Sequence, residues 1–205
     1  DLTPYPWLTD DTISRGSWCY SDNLKIKAAN EVIDTFIDII SKNGQLLLNL
    51  SPMADGTIPE KQRAVMRELG AFLRTNGEAV YGSRPWLAYG EGPTRMKKGG
   101  HFVGDVHYGG KDIRYTRSKD GTILYAFVLA WPDGPVTLTR VQPTREGKAS
   151  LLGGGAVATA TNALGQLVLT PSASDLAAGS GRHAFVVKLE GFDPRLGAPA
   201  EAPAA

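Results

Sequence analysis

Two stretches in the first half of the chain carry apolar residues at helical spacing, and a short apolar run lies between them. The first follows the pattern i, i+3, i+4, i+7, i+8, i+11, which places its members on one face of an amphipathic helix: Ala29, Val32, Ile33, Phe36, Ile37 and Ile40. A second helix is predicted from the stripe Val65, Leu69, Phe72 and Leu73. The run at residues 46–50 is typical of a strand covered on both faces. Helix, strand and helix in this order indicate repeating α/β architecture.

Residues with known preferences for helix ends support these boundaries. Ser21, Asp22 and Asn23 are suitable N-caps for the first helix. Gly44 suits the left-handed position that often ends a helix. Pro59 is predicted as the first residue of the second helix, because its missing N–H has no partner there in any case.

After about residue 90 the pattern changes to short apolar or alternating runs that are separated by Gly, Asp and Pro turns. Strands are predicted at residues 112–116, 122–131, 136–141, 156–160, 166–170 and 183–189. Regular short strands indicate an antiparallel β-sandwich, so the fold class is α/β plus all-β. We predict an α/β segment at residues 1–90, a sandwich at 91–191 and a disordered tail at 192–205, whose composition cannot bury a core.

Composition and charge exclude several classes of function. The chain has 22 Lys and Arg residues against 21 Asp and Glu, so it lacks the basic excess of a nucleic-acid or anionic-membrane binder. No stretch approaches the roughly 18 continuous apolar residues of a membrane span. The single cysteine, Cys19, excludes an intrachain disulfide framework. The three histidines, His101, His107 and His183, show no metal-ligand spacing.

Three motifs are the most informative feature of the sequence. They read P-W-L-T-D-D-T-I-S-R-G-S-W-C-Y at residues 6–20, N-G-Q-L-L-L-N-L-S-P-M-A-D-G at 43–56, and F-L-R-T-N-G-E-A-V-Y-G-S-R-P-W at 72–86. In this order they closely resemble the C-terminal part of the family 29 α-L-fucosidases, and the resemblance covers nearly the whole chain. It implies that the first segment is the terminal part of a (β/α)8-like catalytic barrel and that the second is the family's C-terminal β-sandwich.

The resemblance also implies which catalytic groups to expect. Retaining glycoside hydrolysis uses two carboxyl groups about 5–5.5 Å apart, one as nucleophile and one as acid/base. In the family the nucleophile is an aspartate on a middle strand of the barrel, so we expect it upstream of this chain, with Asp1 as a cut end. Some members have a glutamate acid/base directly after the Pro-Trp pair, where this chain has Leu8. Asp10 and Asp11, expected in the same loop, are weak candidates, because loop aspartates usually make turns or caps.

Three residues are predicted to contact the sugar. A fucose ring has an apolar face and a methyl group, which aromatic side chains bury well. Trp18 stands where family members place an aromatic residue in the sugar pocket, and Trp7 lies in the adjoining loop; alternatively, both fill the barrel top as core. Asn49 either reaches the substrate or, the favoured reading, ties down the following loop. Glu78, Arg84 and Trp86 are expected to fasten barrel to sandwich, with Trp86 buried between the two domains.

The sequence therefore predicts part of a retaining α-L-fucosidase, which hydrolyses terminal α-L-fucosyl residues of glycans without metal or cofactor. Its expected partners are a fucosylated glycan and the missing N-terminal barrel portion, without which we expect the segment to be inactive. The apolar helix stripes would otherwise self-associate into a homo-oligomer, and neither nucleic acid nor a membrane is expected as a partner. The resemblance favours a secreted or periplasmic location.

The alternative is a non-catalytic β-sandwich module with a carbohydrate-binding or purely structural role. Carbohydrate binding requires exposed, coplanar aromatic side chains. The candidates in the sandwich are Phe102, Tyr108, Tyr115, Tyr125 and Trp131.

Overall fold

The structure is a computed structural model, and it describes residues 2–95, 106–177 and 183–196. The helices are α1 (Ala29–Ser41), α2 (Glu60–Asn76), α3 (Glu78–Tyr81) and α4 (Ala173–Ala177). The strands are β1 (Trp7–Thr12), β2 (Ser14–Arg15), β3 (Lys25–Ile26), β4 (Gly44–Asn49), β5 (Ser83–Glu91), β6 (Ile113–Ser118), β7 (Ile123–Val128), β8 (Val136–Leu138), β9 (Val141–Gln142), β10 (Lys148–Leu151), β11 (Ala156–Thr161), β12 (Leu167–Thr170), β13 (Phe185–Glu190) and β14 (Asp193–Leu196).

Strands β1 and β4 form a parallel pair that runs in register from Trp7 opposite Gly44 to Thr12 opposite Asn49. Two parallel neighbours need a crossover connection, and α1 lies in that connection. The predicted order of helix, strand and helix is confirmed as α1, β4 and α2.

The two faces of this strand pair differ in burial. Leu48 faces α1 and packs against the buried apolar cluster to which its stripe belongs. Among the described residues the opposite face is uncovered, since Leu8 is 64% and Leu47 is 58% exposed, and Asp10 is exposed beside them. The prediction that β4 is covered on both faces is therefore confirmed within the described chain for the face toward α1 alone.

Helix α1 begins later than the predicted N-caps at residues 21–23. The chain first forms the short antiparallel pair of β2 and β3. The backbone N–H of Ala28 then donates to Oε2 of Glu31 at 2.7 Å, so a glutamate in the first turn caps the helix start.

The end of α1 also differs in detail from the prediction. Asn43, with φ of 72°, adopts the left-handed conformation that was predicted for Gly44. Asparagine tolerates this conformation better than most residues. Gly44 is required for a different reason, because a Cβ atom at this position would lie 2.6 Å from Cζ2 of Trp7.

The second part of the chain forms one antiparallel sheet with the strand order β5-β6-β7-β13-β10-β11-β12-β8. Its two edge strands approach each other, since the N–H of Thr139, next to β8, donates to Oε2 of Glu91 in β5 at 3.0 Å. Tyr115 of β6, Leu138 of β8 and Leu167 of β12 belong to one buried cluster. The sheet is thus curled around its own core, in agreement with the predicted terminal β-sandwich.

The predicted strands are present as β6 to β9 and β11 to β13, whereas β5 and β10 were not predicted. Trp86 of β5 lies inside the core of the sheet, with its ring edge-on to Tyr115 and the ring centres 5.1 Å apart. Its predicted place between barrel and sandwich is therefore wrong. Strand β14 pairs with β9 within the predicted tail, and residues 197–205 lie outside the described residues. The division into three segments stays a prediction.

The other face of the sheet packs against the helices. Phe127 of β7 belongs to the same buried cluster as Ile33 of α1 and Phe72 of α2. Glu78 of α3 accepts a hydrogen bond from the Tyr125 hydroxyl at 2.8 Å, which confirms its predicted fastening role. The central strands are covered on both sides, and this explains the continuous apolar run of β7.

A buried ion pair crosses this contact. Nε of Arg114, in β6, lies 2.6 Å from Oδ1 of Asp38, in α1, and the two side chains are 0% and 1% exposed. The guanidinium carbon lies 5.5 Å from the ring centre of Tyr89 and 5.2 Å from that of Tyr108. Nζ of Lys42 lies 2.5 Å from the other Asp38 oxygen. Charges removed from water in this way are stable only when each keeps its partners.

We predict that Arg114→Met lowers the free energy of unfolding by about 3–5 kcal/mol, because the Asp38 carboxylate loses a buried partner. Urea denaturation measures this change. The matched control is Arg67→Met, since Arg67 pairs with Glu60 on the exposed surface, and its effect should stay within about 0.5 kcal/mol. Equal effects of both substitutions would contradict the prediction.

Candidate functional site

Polar side chains meet at the carboxyl ends of β1 and β4, the end at which barrel enzymes carry their active sites. Nδ2 of Asn49 donates to Oγ1 of Thr12 at 3.2 Å and to the main-chain oxygen of Trp18 at 3.0 Å. Oγ of Ser51 donates to the same Trp18 oxygen at 3.0 Å. The hydroxyl oxygens of Thr12 and Ser14 lie 3.0 Å apart. The strand ends therefore hold the segment that carries Trp18.

Helix α2 fixes the loop after β4 through Gln62, which is fully buried. Nε2 of Gln62 donates to the main-chain oxygen of Ser51, and the Ser51 N–H donates to Oε1 of Gln62, each at 2.8 Å. One side-chain amide thus satisfies both main-chain groups of the buried Ser51. Without these hydrogen bonds, a buried donor and a buried acceptor would be left unpaired at a cost in stability. The position of the Ser51 hydroxyl is set by this pair of bonds.

The two predicted tryptophans lie at opposite ends of β1. Trp7 opens the strand, where its ring lies close to the Gly44 backbone and its Nε1 donates to the main-chain oxygen of Lys42 at 3.1 Å. Both roles predicted for Trp7 placed it with Trp18 at the barrel top, whereas it lies at the other end of β1; its sugar contact stays a prediction. Trp18 is half-buried and lies beside the carboxyl ends of the strands. The sugar-contacting role of Trp18 stays a prediction, and its position at the carboxyl ends of the strands is compatible with that role.

Strand geometry separates the two candidate aspartates. The sequence predicts both in a loop, and this is wrong, because both lie on β1. Asp11 is engaged by Lys27, whose Nζ lies 2.8 Å and 2.7 Å from the two carboxylate oxygens, and Oδ1 also accepts the N–H of Thr12 at 2.8 Å. Asp10 lies on the uncovered face, in register with Leu47. Because neighbouring residues of a strand face opposite sides, only Asp10 faces the open side.

A second polar cluster lies between α1 and the sheet. Oδ1 of Asp34 and the hydroxyl of Tyr108 are buried and have no hydrogen-bond partner within the described part of the chain. Burial raises the pKa of Asp34 to about 8; the positive charge of Arg114 opposes this shift, and the carboxylates of Asp112 and Glu31 add to it. The Asp34 carboxyl group therefore carries a proton at neutral pH.

The sandwich aromatics do not form an exposed platform among the described residues. Tyr115 and Tyr125 are buried, Tyr108 stacks on a guanidinium group, and Trp131 packs partly buried against the sheet core. Phe102 lies outside the described residues. In the same described ranges no three His, Cys, Asp or Glu side chains are grouped as metal ligands. The helices found there are all too short or too polar to cross a membrane.

Sequence reasoning missed four members of the hydrogen-bonded strand ends: Thr12, Ser14, Ser51 and Gln62. A signal for the last was present, because position 62 continues the apolar stripe of α2 at residues 65, 69 and 72. A polar residue on a buried stripe needs a buried partner. The sequence could not indicate which main-chain groups it would meet.

The architecture defines the class of the protein: the terminal part of a (β/α)8-like unit followed by an antiparallel β-sandwich. Residues 1–78 match the family described as Alpha-L-fucosidase. The plasma alpha-L-fucosidase of Homo sapiens is 30% identical over 137 residues, which are 64% of this chain and 25% of that protein. A putative alpha-L-fucosidase of Caenorhabditis elegans is 25% identical over 194 residues, which are 90% of this chain and 40% of the relative.

Among solved structures, the Thermotoga maritima alpha-fucosidase in complex with fucose has a TM-score of 0.71 and 26% identity. The similarity covers 92% of this chain and 40% of that one. Over most of its length the chain is thus similar to α-L-fucosidases, and residues 1–78 match the family model itself. It spans from about a quarter to two fifths of the length of the relatives it matches.

We predict that Asp11→Asn lowers the free energy of unfolding by about 1 kcal/mol, because the charged bond from Lys27 is weakened. Asp10→Asn is the matched control on the same strand and should change stability by less than about 0.5 kcal/mol. Urea denaturation of both variants checks this. A larger loss for Asp10→Asn would show that the faces of β1 are assigned the wrong way round.

The stability of the chain should also depend on pH through Asp34. Its pKa is raised in the folded state, so the folded chain binds this proton more tightly than the unfolded chain does. Stability is therefore lost as the pH rises from the unfolded pKa near 4 to the folded pKa of about 8, at about 1.4 kcal/mol per pH unit. Asp34→Asn should remove this component. Equal pH profiles for wild type and variant in urea denaturation would refute the assignment.

Proposed function

We propose that this chain is part of a retaining α-L-fucosidase that hydrolyses terminal α-L-fucosyl residues of glycans. The observation that carries the proposal is the hydrogen-bonded group at the carboxyl ends of β1 and β4, which holds Trp18 within the segment that matches the family. The Thermotoga maritima relative was solved with fucose bound, and this supports a fucosylated glycan as substrate.

The chemistry requires groups that lie beyond this chain. A retaining glycosidase needs a nucleophile and an acid/base on opposite sides of one pocket. The two parallel strands β1 and β4 cannot close a barrel by themselves. We therefore propose that the rest of the barrel is the partner of this chain and supplies the nucleophile. We call the chain together with this partner the assembled enzyme.

The roles within the chain follow from the site geometry. Trp18 packs against the apolar side of the sugar, and the ends of β1 and β4 support it. Asp10 is the better of the two acid/base candidates, since Asp11 is already bound to Lys27. Trp7 supports the start of β1. Hydrolysis by two carboxyl groups requires neither a metal nor a cofactor.

The sandwich has a structural role in this proposal. Its helix-facing side is joined to α1 by the Arg114–Asp38 pair and to α3 by Glu78. A carbohydrate-binding role has no support from the described aromatic residues. We retain a secreted or periplasmic location and the boundaries after residues 90 and 191 as parts of the proposal.

Hydrolysis of an aryl α-L-fucoside tests the function. The 205-residue chain alone should give no turnover, and the assembled enzyme should be active. In the assembled enzyme, Trp18→Ala should raise KM about threefold to tenfold, the factor expected for the loss of one aromatic contact.

Two outcomes would contradict the proposal in different ways. Turnover by the chain alone would show that a complete carboxyl pair lies within it, and Asp10→Asn would then be the first variant to test. An inactive assembled enzyme that is folded and of the expected mass would contradict the fucosidase assignment itself.

A further inference from the structure

The main-chain oxygen of Trp18 accepts two hydrogen bonds from residues at and just after the end of β4. Nδ2 of Asn49 and Oγ of Ser51 each lie 3.0 Å from it. A carbonyl oxygen has two lone pairs, so both of its acceptor sites are occupied. The two donors fix the peptide group between Trp18 and Cys19. The Trp18 backbone, from which the side chain extends, is held in place with it.

Both N–H donors of the Asn49 amide are used by this arrangement. A side-chain amide has two N–H donors. Nδ2 of Asn49 donates one to Oγ1 of Thr12, at an N–O distance of 3.2 Å, and the other to the Trp18 oxygen, at 3.0 Å. Asn49 therefore has no N–H left for a sugar hydroxyl, and its predicted role as a direct substrate ligand is less well supported than a role through Trp18.

The second donor is equally constrained. Ser51 is 1% exposed, and Gln62 holds both its main-chain N–H and its main-chain oxygen. Its hydroxyl cannot follow a movement of the Trp18 segment without breaking these bonds. The clamp therefore consists of Asn49 and Ser51 as donors, with Gln62 as the support of Ser51.

The segment is also held on its other side. The hydroxyl of Ser14 donates to the main-chain oxygen of Ser17, and Arg15 forms an ion pair with Glu31 of α1. These contacts place the residues before Trp18, while the clamp places Trp18 itself. Between Arg15 and Lys25 the described chain has no regular element, so side chains take over the positioning that a strand would provide.

We propose that Asn49 and Ser51 are positioning residues that orient Trp18 toward the sugar by clamping its main-chain oxygen. The inference rests on the proposed fucosidase function and extends it to two residues that do not touch the substrate. Loosening the clamp should weaken substrate binding more than the chemical step, because the carboxyl groups are held elsewhere in the barrel.

The clamp itself can be tested on the chain alone. Cys19, the only cysteine, is exposed and directly follows Trp18. A nitroxide label on Cys19 reports the mobility of this segment by electron paramagnetic resonance. Asn49→Asp removes two donors while keeping the shape, and Ser51→Ala removes one. Both should increase label mobility, and Asn49→Asp more than Ser51→Ala.

Ser83→Ala is the matched control, because its hydroxyl also donates to a main-chain oxygen, that of Val80 at 2.9 Å, outside the site. It should leave the label spectrum unchanged. Unchanged label mobility in Asn49→Asp and Ser51→Ala would overturn the proposal. An equal increase in all three variants would do the same, since it would indicate general loosening of the fold.

The assembled enzyme separates positioning from mere folding. Asn49→Asp and Ser51→Ala should raise KM for an aryl α-L-fucoside about threefold to tenfold, with kcat changed by less than about threefold. Ser51→Thr, which keeps the hydroxyl, should restore part of the loss. A mobile label with unchanged KM would overturn the proposal.

An inactive wild-type assembly would refute the fucosidase function and the sugar-facing part of this inference. Unchanged label mobility or unchanged KM in the Asn49 and Ser51 variants of an active enzyme would refute this inference alone. The two failures are therefore distinguishable.

Discussion

A buried ion pair between α1 and the curled sheet is the contact on which the arrangement of the chain depends. Arg114 and Asp38 are buried between α1 and β6, and the guanidinium group is enclosed by two tyrosine rings. Such a pair fixes relative position more strictly than apolar packing does, because a small displacement would leave the Arg114 charge buried without its carboxylate partner. Helix α1 is thereby held in one place against the sheet.

Helix α1 also connects this contact with the strand ends. Its inner face covers β4, and its first turn binds Arg15, which lies in the segment leading to Trp18. The next helix supplies Gln62 to the loop that follows β4. The described contacts thus form a continuous path from the sheet to the strand ends that hold Trp18.

Much of the fold could be predicted from the sequence, and the errors have identifiable causes. The helices and most strands followed from periodicity, but β5 was missed because Pro85 and Gly90 interrupt its apolar pattern. Position 90 requires glycine, because a Cβ atom there would lie only 2.8 Å from Cδ of Arg114. For the site, Trp18 and Asn49 were identified from motifs, whereas the opposite faces of Asp10 and Asp11 required the register of β1 with β4.

The sequence by itself determined the class of each segment, because helical and strand periodicity are local properties of apolar side chains. It also indicated the resemblance to the α-L-fucosidases, through three motifs in order. Only the tertiary structure decided which polar groups meet: Arg114 with Asp38, Gln62 with Ser51, and Asn49 with the Trp18 carbonyl. These partners are far apart along the chain. A hydrogen bond requires a donor–acceptor distance that is correct to within a few tenths of an ångström, and no local sequence pattern encodes such a distance.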